Sequence, residues 1–114
     1  MCLSDLYLRE ALYKTKAAVF AQHCDFILKN KERGTGFVDA GALKGLKVRG
    51  TLLNHSENRL EFGVLKKTLQ ECKSKGLKVI VCVASLAETR KVLKLKPWEI
   101  AFDDPGLVGS GKSI

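Results

Sequence analysis

Two stretches of this 114-residue chain place chemically capable side chains close together. The first runs Gly50-Thr51-Leu52-Leu53-Asn54-His55-Ser56-Glu57-Asn58-Arg59. An apolar run stops at a histidine, and Ser56 and Glu57 read as the start of a helix. Beside the positive end of a helix dipole a neutral imidazole is favoured, and a neutral ring can donate a hydrogen bond to a substrate oxygen. Taken alone, a histidine at a strand end fits a hydrogen-bonded structural residue equally well. The second stretch runs from Trp98 to Ser113, with an apolar segment ending at Asp103 and a glycine-rich segment at Leu107-Val108-Gly109-Ser110-Gly111-Lys112. Glycines let main-chain N–H groups approach an anion closely. A carboxylate shortly before such a loop can act as a base on a phosphate-bearing substrate.

The second stretch has a rival reading. Gly106 to Ser113 also fits G-x-x-x-x-G-K-[ST], the phosphate loop of nucleotide hydrolases. That loop needs a helix after the serine, whose N-terminus completes the anion site. Only Ile114 follows Ser113 in this sequence, and no later strand offers a magnesium-binding Asp, so nucleotide binding is the lesser expectation.

The elements that must position these residues can be read from apolar periodicity. Nearly continuous apolar runs at 17–21, 48–53, 77–84 and 98–102 read as four strands buried on both faces, as in parallel sheets. Between them, Phe62, Leu65, Leu69 and Cys72 recur at helical spacing, and that helix is expected to stop at Gly76 with Lys73 and Lys75 in its last turn. Ser85-Leu86-Ala87-Glu88 is a capping box, so another helix starts at Leu86 and ends before Pro97. An opening helix over about Asp5–Tyr13, capped by Ser4, and a short one from Asp39 or Ala40 to Leu46 complete the order. Alternating helices and strands indicate an α/β fold of consecutive parallel βα units in one domain. Right-handed crossovers put the strand C-terminal ends on one side. Those ends read Gln22-His23, Asn54-His55, Ala84-Ser85 and Asp103-Asp104. Four strands cannot close a barrel, and a (β/α)8 barrel needs at least about 200 residues, so a barrel reading makes this about half of one.

Composition narrows the function classes. Hydrophobic residues make up 46% and charged residues 28%, ordinary for a water-soluble globular domain. No apolar run approaches the ~20 residues of a membrane span. Met1-Cys2-Leu3-Ser4-Asp5 does not read as a signal peptide, which makes the cytoplasm the expected compartment. Cys2, Cys24, Cys72 and Cys82 form no Cys-x-x-Cys pair, and His23 and His55 add no metal-ligand spacing. Reduced structural cysteines and no metal or other cofactor are expected. The net charge of +8 raises nucleic-acid binding. No aromatic residues interleave the lysines as stacking platforms, however, so a solvated basic surface that favours anionic substrates is the better reading.

Taken together, the two stretches resemble the triose-phosphate isomerases, in particular their compact archaeal form. Phe20-Ala21-Gln22-His23 resembles the family's third strand and Thr35-Gly36 its third loop. Gly50 to Arg59 is similar to its active-site histidine motif, and Leu107 to Lys112 to the hinged sixth loop that closes over substrate phosphate. The resemblance runs from about Leu3 to Ile114. It implies part of a (β/α)8 barrel, from roughly the second helix to the sixth loop, that interconverts dihydroxyacetone phosphate and glyceraldehyde 3-phosphate in glycolysis and gluconeogenesis. The family is the reference case for a carboxylate base working with a neutral histidine. By resemblance His55 polarises the carbonyl and shuttles protons, and Asp103 is the base. Val108 and Gly109 contact phosphate, Ser110, Gly111 and Lys112 form the loop hinge, Asn54 and Glu57 support the histidine, and Thr35 reaches a neighbouring subunit. The implied partners are the triose phosphate and either further copies, as a dimer or tetramer, or a complementing barrel half. The family has Glu where this chain has Asp103 and usually proline where it has Asp104. Its first-strand Asn-x-Lys and its seventh and eighth strands have no counterpart here, so the chain alone is expected to show no appreciable activity.

Overall fold

A computed structural model of the chain describes residues 2–27 and 35–103. Five strands lie in one sheet: β1 (Cys2–Leu3), β2 (Phe20–Ala21), β3 (Gly50–Leu53), β4 (Lys78–Val83) and β5 (Glu99–Phe102). All neighbouring pairs are parallel, in the order β1-β2-β3-β4-β5. Between them run α1 (Leu8–Lys14), α2 (Ala40–Gly45), α3 (Phe62–Ser74) and α4 (Leu86–Leu93). The fold is thus α/β, made of parallel βα units as in part of a (β/α)8 barrel. Where four strands were expected there are five. Cys2–Leu3 is too short for periodicity to reveal, and only its pairing with Phe20 and Ala21 makes it a strand. Strand order follows chain order, so β1 and β5 are open edges among the described residues.

The pleat sorts the sheet into two faces. Val79, Val81 and Val83 of β4 are almost wholly buried and join Leu53, Leu65, Leu69, Cys72 and Val92 in the layer between sheet and helices. The alternate positions, Phe20, Gly50, Leu52, Ile80, Cys82 and Ala101, lie on the opposite face, in register across the sheet. At one end of that face Phe20 and Trp98 stack with centroids 5.8 Å apart, and the Lys78 ammonium sits 4.7 Å above the Trp98 ring. Gly50 is required there: a Cβ would run into the Lys78 carbonyl oxygen and lie 2.8 Å from Phe20 Cε2.

Helix ends follow local chemistry. Asp39 caps α2 by accepting from Ala42 N–H (3.0 Å), and Glu61 caps α3 by accepting from Gly63 (2.9 Å) and Val64 (3.1 Å). Past α3, Gly76 takes φ +79° and Leu77 N–H returns to the Cys72 carbonyl (2.9 Å), the left-handed stop that the sequence signalled. Ser85 caps α4 through Glu88 N–H (3.1 Å). The Glu88 carboxylate departs from the capping box by reaching Ala84 N–H (2.9 Å) and the Arg59 guanidinium. The first helix also differs from expectation. Asp5–Tyr7 form a 3-10 turn, and α1 starts after it with Tyr7, which makes no side-chain cap, in the capping position. No helix among the described residues is long and apolar enough to cross a membrane.

Candidate active site

The C-terminal ends of β2, β3 and β5 bring the chemistry together. β3 stops because Asn54 turns it, at φ +66°, a conformation that Asn tolerates better than most residues. The Asn54 side chain is buried and fully used. Its Nδ2 donates to the Cys82 carbonyl (3.0 Å) and its Oδ1 accepts from Leu60 N–H (2.8 Å). Its own carbonyl accepts from Arg59 Nη1 (3.3 Å), whose other nitrogen pairs with Glu88. Burial pushes the Glu88 carboxyl up, but the hydrogen bonds from Arg59 and Ala84 outweigh it and hold the group below its ordinary value. One residue thus ties the strand end to its neighbour strand and to the following loop.

This turn replaces the helix start expected at Ser56 and Glu57. Asn58 N–H closes a turn on the His55 carbonyl (2.8 Å), and α3 begins only at Phe62. The helix cannot start earlier because Leu60 and Arg59 are drawn back onto Asn54. The donor at His55 is therefore a single backbone group: Glu57 N–H donates to Nδ1 at 3.1 Å. An accepting Nδ1 places the ring proton on Nε2. The Glu57 carboxylate lies 3.5 Å from Nδ1 but is 77% exposed, so solvent screens it and the backbone bond sets the tautomer.

Asp103 follows β5 and is 6% exposed. Its N–H continues the ladder to the Val83 carbonyl (2.7 Å), and its Oδ2 accepts from Ser56 N–H at 2.6 Å. The same oxygen stands 3.6 Å from His55 Nε2, too far for a hydrogen bond, so the Nε2 proton is left to donate elsewhere. Beside it, burial and the Asp103 charge push the Cys82 thiol up to about 11, which keeps it protonated. His55 opens into a pocket of about 230 Å3 that Gln22, His23, Leu52, Glu57 and Asn58 also line. Asp103 stands outside that lining.

The structure thus brings together His55, Asp103, Asn54 and the Glu57 backbone. Thr35 is exposed, in a turn with Gly36 at φ +81°, and is not among the residues that line the His55 pocket. Val108, Gly109, Ser110, Gly111 and Lys112, like the alternative phosphate loop at Gly106–Ser113, lie outside the described residues. Four residues that shape the site had no role assigned to them from the sequence, although His23 stood among the polar strand ends. Ser56 acts through its backbone N–H, which leaves no mark in residue type. Arg59 and Glu88 meet only through the fold, 29 positions apart. His23 lines the pocket with its Nε2 2.8 Å from Asp25 Oδ1, and Asp25 is held in turn by Val38 N–H (2.8 Å); a polar pair just after a strand was the available signal. Among the described residues no group of three His, Cys, Asp or Glu side chains is placed to hold a metal ion.

A family model described as "Triosephosphate isomerase" matches residues 2–99. The triosephosphate isomerase of Methanocaldococcus jannaschii is 36% identical over 104 residues, covering 91% of this chain and 47% of that protein. Those of Methanosarcina mazei and Methanosarcina barkeri are 34% and 37% identical, each over 96% of this chain and 47% of theirs. The chain therefore spans about half the length of these relatives. With the family match running from β1 into β5 across the strand that carries His55, the chain belongs to the triosephosphate isomerase family.

Proposed function

We propose that this chain supplies the histidine and carboxylate side of a triose-phosphate isomerase site, acting on dihydroxyacetone phosphate and glyceraldehyde 3-phosphate once the remaining barrel strands are provided. The observation that carries the reading is the arrangement of His55 and Asp103 at the ends of β3 and β5, with no acceptor for the His55 Nε2 proton among the described residues. In this reading Nε2–H donates to the substrate carbonyl oxygen and stabilises the charge that develops there when a C–H proton is removed. Asp103 removes that proton after its carboxylate exchanges the Ser56 N–H for the substrate carbon. His55 then moves protons between the two substrate oxygens. Val108 and Gly109 hold the phosphate, Ser110, Gly111 and Lys112 hinge the loop over it, and Thr35 meets a neighbouring subunit of a dimer or tetramer. The cytoplasm is the compartment that suits this reaction.

The isolated chain turns over no triose phosphate in this proposal. The test is reconstitution: the chain is mixed with matching N- and C-terminal parts of an archaeal relative and triose-phosphate interconversion is followed. Activity that disappears with His55→Gln supports the reading. No activity, even with Asp103→Glu in place, overturns the half-site. A second reading, a non-catalytic half-barrel that assembles with a partner half, is favoured by the two sheet edges left open among the described residues and by the shorter acid at position 103.

A further inference from the structure

We propose that Arg59, anchored by Glu88, is a positioning residue that holds His55 in its Nε2–H tautomer through the peptide joining Asn54 to His55. Neither Arg59 nor Glu88 lines the His55 pocket, and they meet across 29 positions of sequence. The kinetic consequence of this role rests on the isomerase reading. The tautomer is a property of the chain by itself.

The guanidinium bridges two places. Its Nη1 donates to the Asn54 carbonyl (3.3 Å), and its Nη2 pairs with the Glu88 carboxylate, whose second oxygen accepts from Ala84 N–H (2.9 Å). Glu88 N–H in turn donates to the Ser85 cap (3.1 Å), so Glu88 is fixed through its backbone and its side chain. The ion pair is also partly withdrawn from water. Arg59 and Glu88 are 37% and 25% exposed, against 73% and 59% for Lys14 and Glu10 on α1. An exposed pair of the latter kind holds little in place, whereas a guanidinium with directional bonds on both sides is a fixed fork.

The ladder between β3 and β4 ends at Leu53 and Val81, and Asn54 turns out of it at φ +66°. A peptide unit is planar, so a donor fixed on the Asn54 carbonyl also sets the angle at which His55 leaves the strand. The Asn54 side chain is committed elsewhere, to the Cys82 carbonyl and Leu60 N–H. Two residues on, Glu57 N–H meets Nδ1 at 3.1 Å, towards the long end for a hydrogen bond, so a small swing of the peptide breaks it. A competing state lies close by. With the backbone bond lost, a protonated Nδ1 can donate to the Glu57 carboxylate, now 3.5 Å away. Nε2 then carries a lone pair, facing Asp103 Oδ2 at 3.6 Å, and the ring has no proton to offer a substrate carbonyl oxygen.

The test is imidazole nitrogen NMR on the whole chain at about pH 8.5, where an ordinary histidine is neutral, with His55 assigned by the signals that His55→Gln removes. The parent chain should show the Nε2–H tautomer. Arg59→Met should shift the tautomer ratio towards Nδ1–H by about tenfold. Arg59→Lys, which keeps the charge but loses the fork, should shift it in the same direction. Glu88→Ala frees the fork from its far end and should do likewise, and it serves where an Arg59 variant does not fold by circular dichroism. Exchanging the pair, Arg59→Glu with Glu88→Arg, restores the charges but sets a carboxylate against the Asn54 carbonyl, so the tautomer should not recover. Thr68→Ala, which removes a buried hydroxyl bond within α3, should lower stability and leave the tautomer as it is. In the reconstituted barrel Arg59→Lys should lower kcat roughly 10- to 100-fold with KM little changed. An unchanged tautomer in the folded Arg59 and Glu88 variants, recovery in the exchanged pair, or an equal shift in Thr68→Ala would each overturn the proposal. A reconstituted barrel without activity counts against the isomerase reading, while the tautomer ratio still decides this one.

Discussion

Asn54 and Asp103 show how much of the site depends on single side chains. Asn54 combines a left-handed backbone with two buried hydrogen bonds. Replacing it by Ala adds backbone strain and strands the Leu60 N–H and the Cys82 carbonyl. Urea unfolding should show a loss of about 2–4 kcal/mol. Asn54→Gly should recover the backbone part only, and equal losses for the two variants would contradict that division. In the proposed reading Asp103 stands in for the family's Glu with one methylene fewer, so its carboxylate would sit about 1 Å back, a misplacement that costs on the order of 10²-fold in rate. In the reconstituted barrel Asp103→Glu should therefore raise kcat by roughly that factor with little change in KM. No increase would mean that the Asp reaches the substrate carbon by another route.

At the scale of elements, the close approach of β2, β3 and β4 rests on Gly50. The added methyl of Gly50→Ala has nowhere to go between the Lys78 carbonyl and Phe20, so the strands must separate. A loss of about 3 kcal/mol or more is expected in thermal or urea melts. Weakened Phe20–Trp98 stacking should appear as a change in Trp98 fluorescence. The helix caps add a pH dependence. Two backbone N–H groups lower the Glu61 carboxyl from its ordinary 4.5, and Arg59 with Ala84 lowers Glu88 against the opposing effect of burial. A carboxyl lowered on folding stabilises above its unfolded pKa, and that stability is lost as pH falls through the folded value. Stability should thus decline from about pH 5 downward. Glu61→Gln and Glu88→Gln should each flatten the acid limb; an unaltered limb in both would assign acid unfolding to other groups.

At the scale of the molecule, the edges at β1 and β5 that stand open among the described residues dominate. Both leave backbone hydrogen-bonding groups without a sheet neighbour among the described residues. Sedimentation of the isolated chain should show species above the 12.6 kDa monomer, resolved into one discrete complex when complementary barrel strands of an archaeal relative are added. A single stable monomer at high concentration would argue against assembly with a partner half.

Periodicity determined the parallel βα order, because nearly continuous apolar runs and one-sided helices leave different apolar spacings, although β5 is half-exposed and not buried on both faces as expected. The stop at Gly76 and the cap at Ser85 were legible for the same local reason. Residue type and order also determined that His55 and the Asp103 region form a pair worth testing. Only tertiary structure decided the rest. β1 exists by virtue of its partner β2, since two residues carry no period. The histidine tautomer rests on one backbone N–H instead of a helix end, because Asn54 gathers Arg59 and Leu60 back and delays α3 to Phe62. Asp103 meets Ser56 across 47 positions through a main-chain donor, a contact that has no signature in residue type.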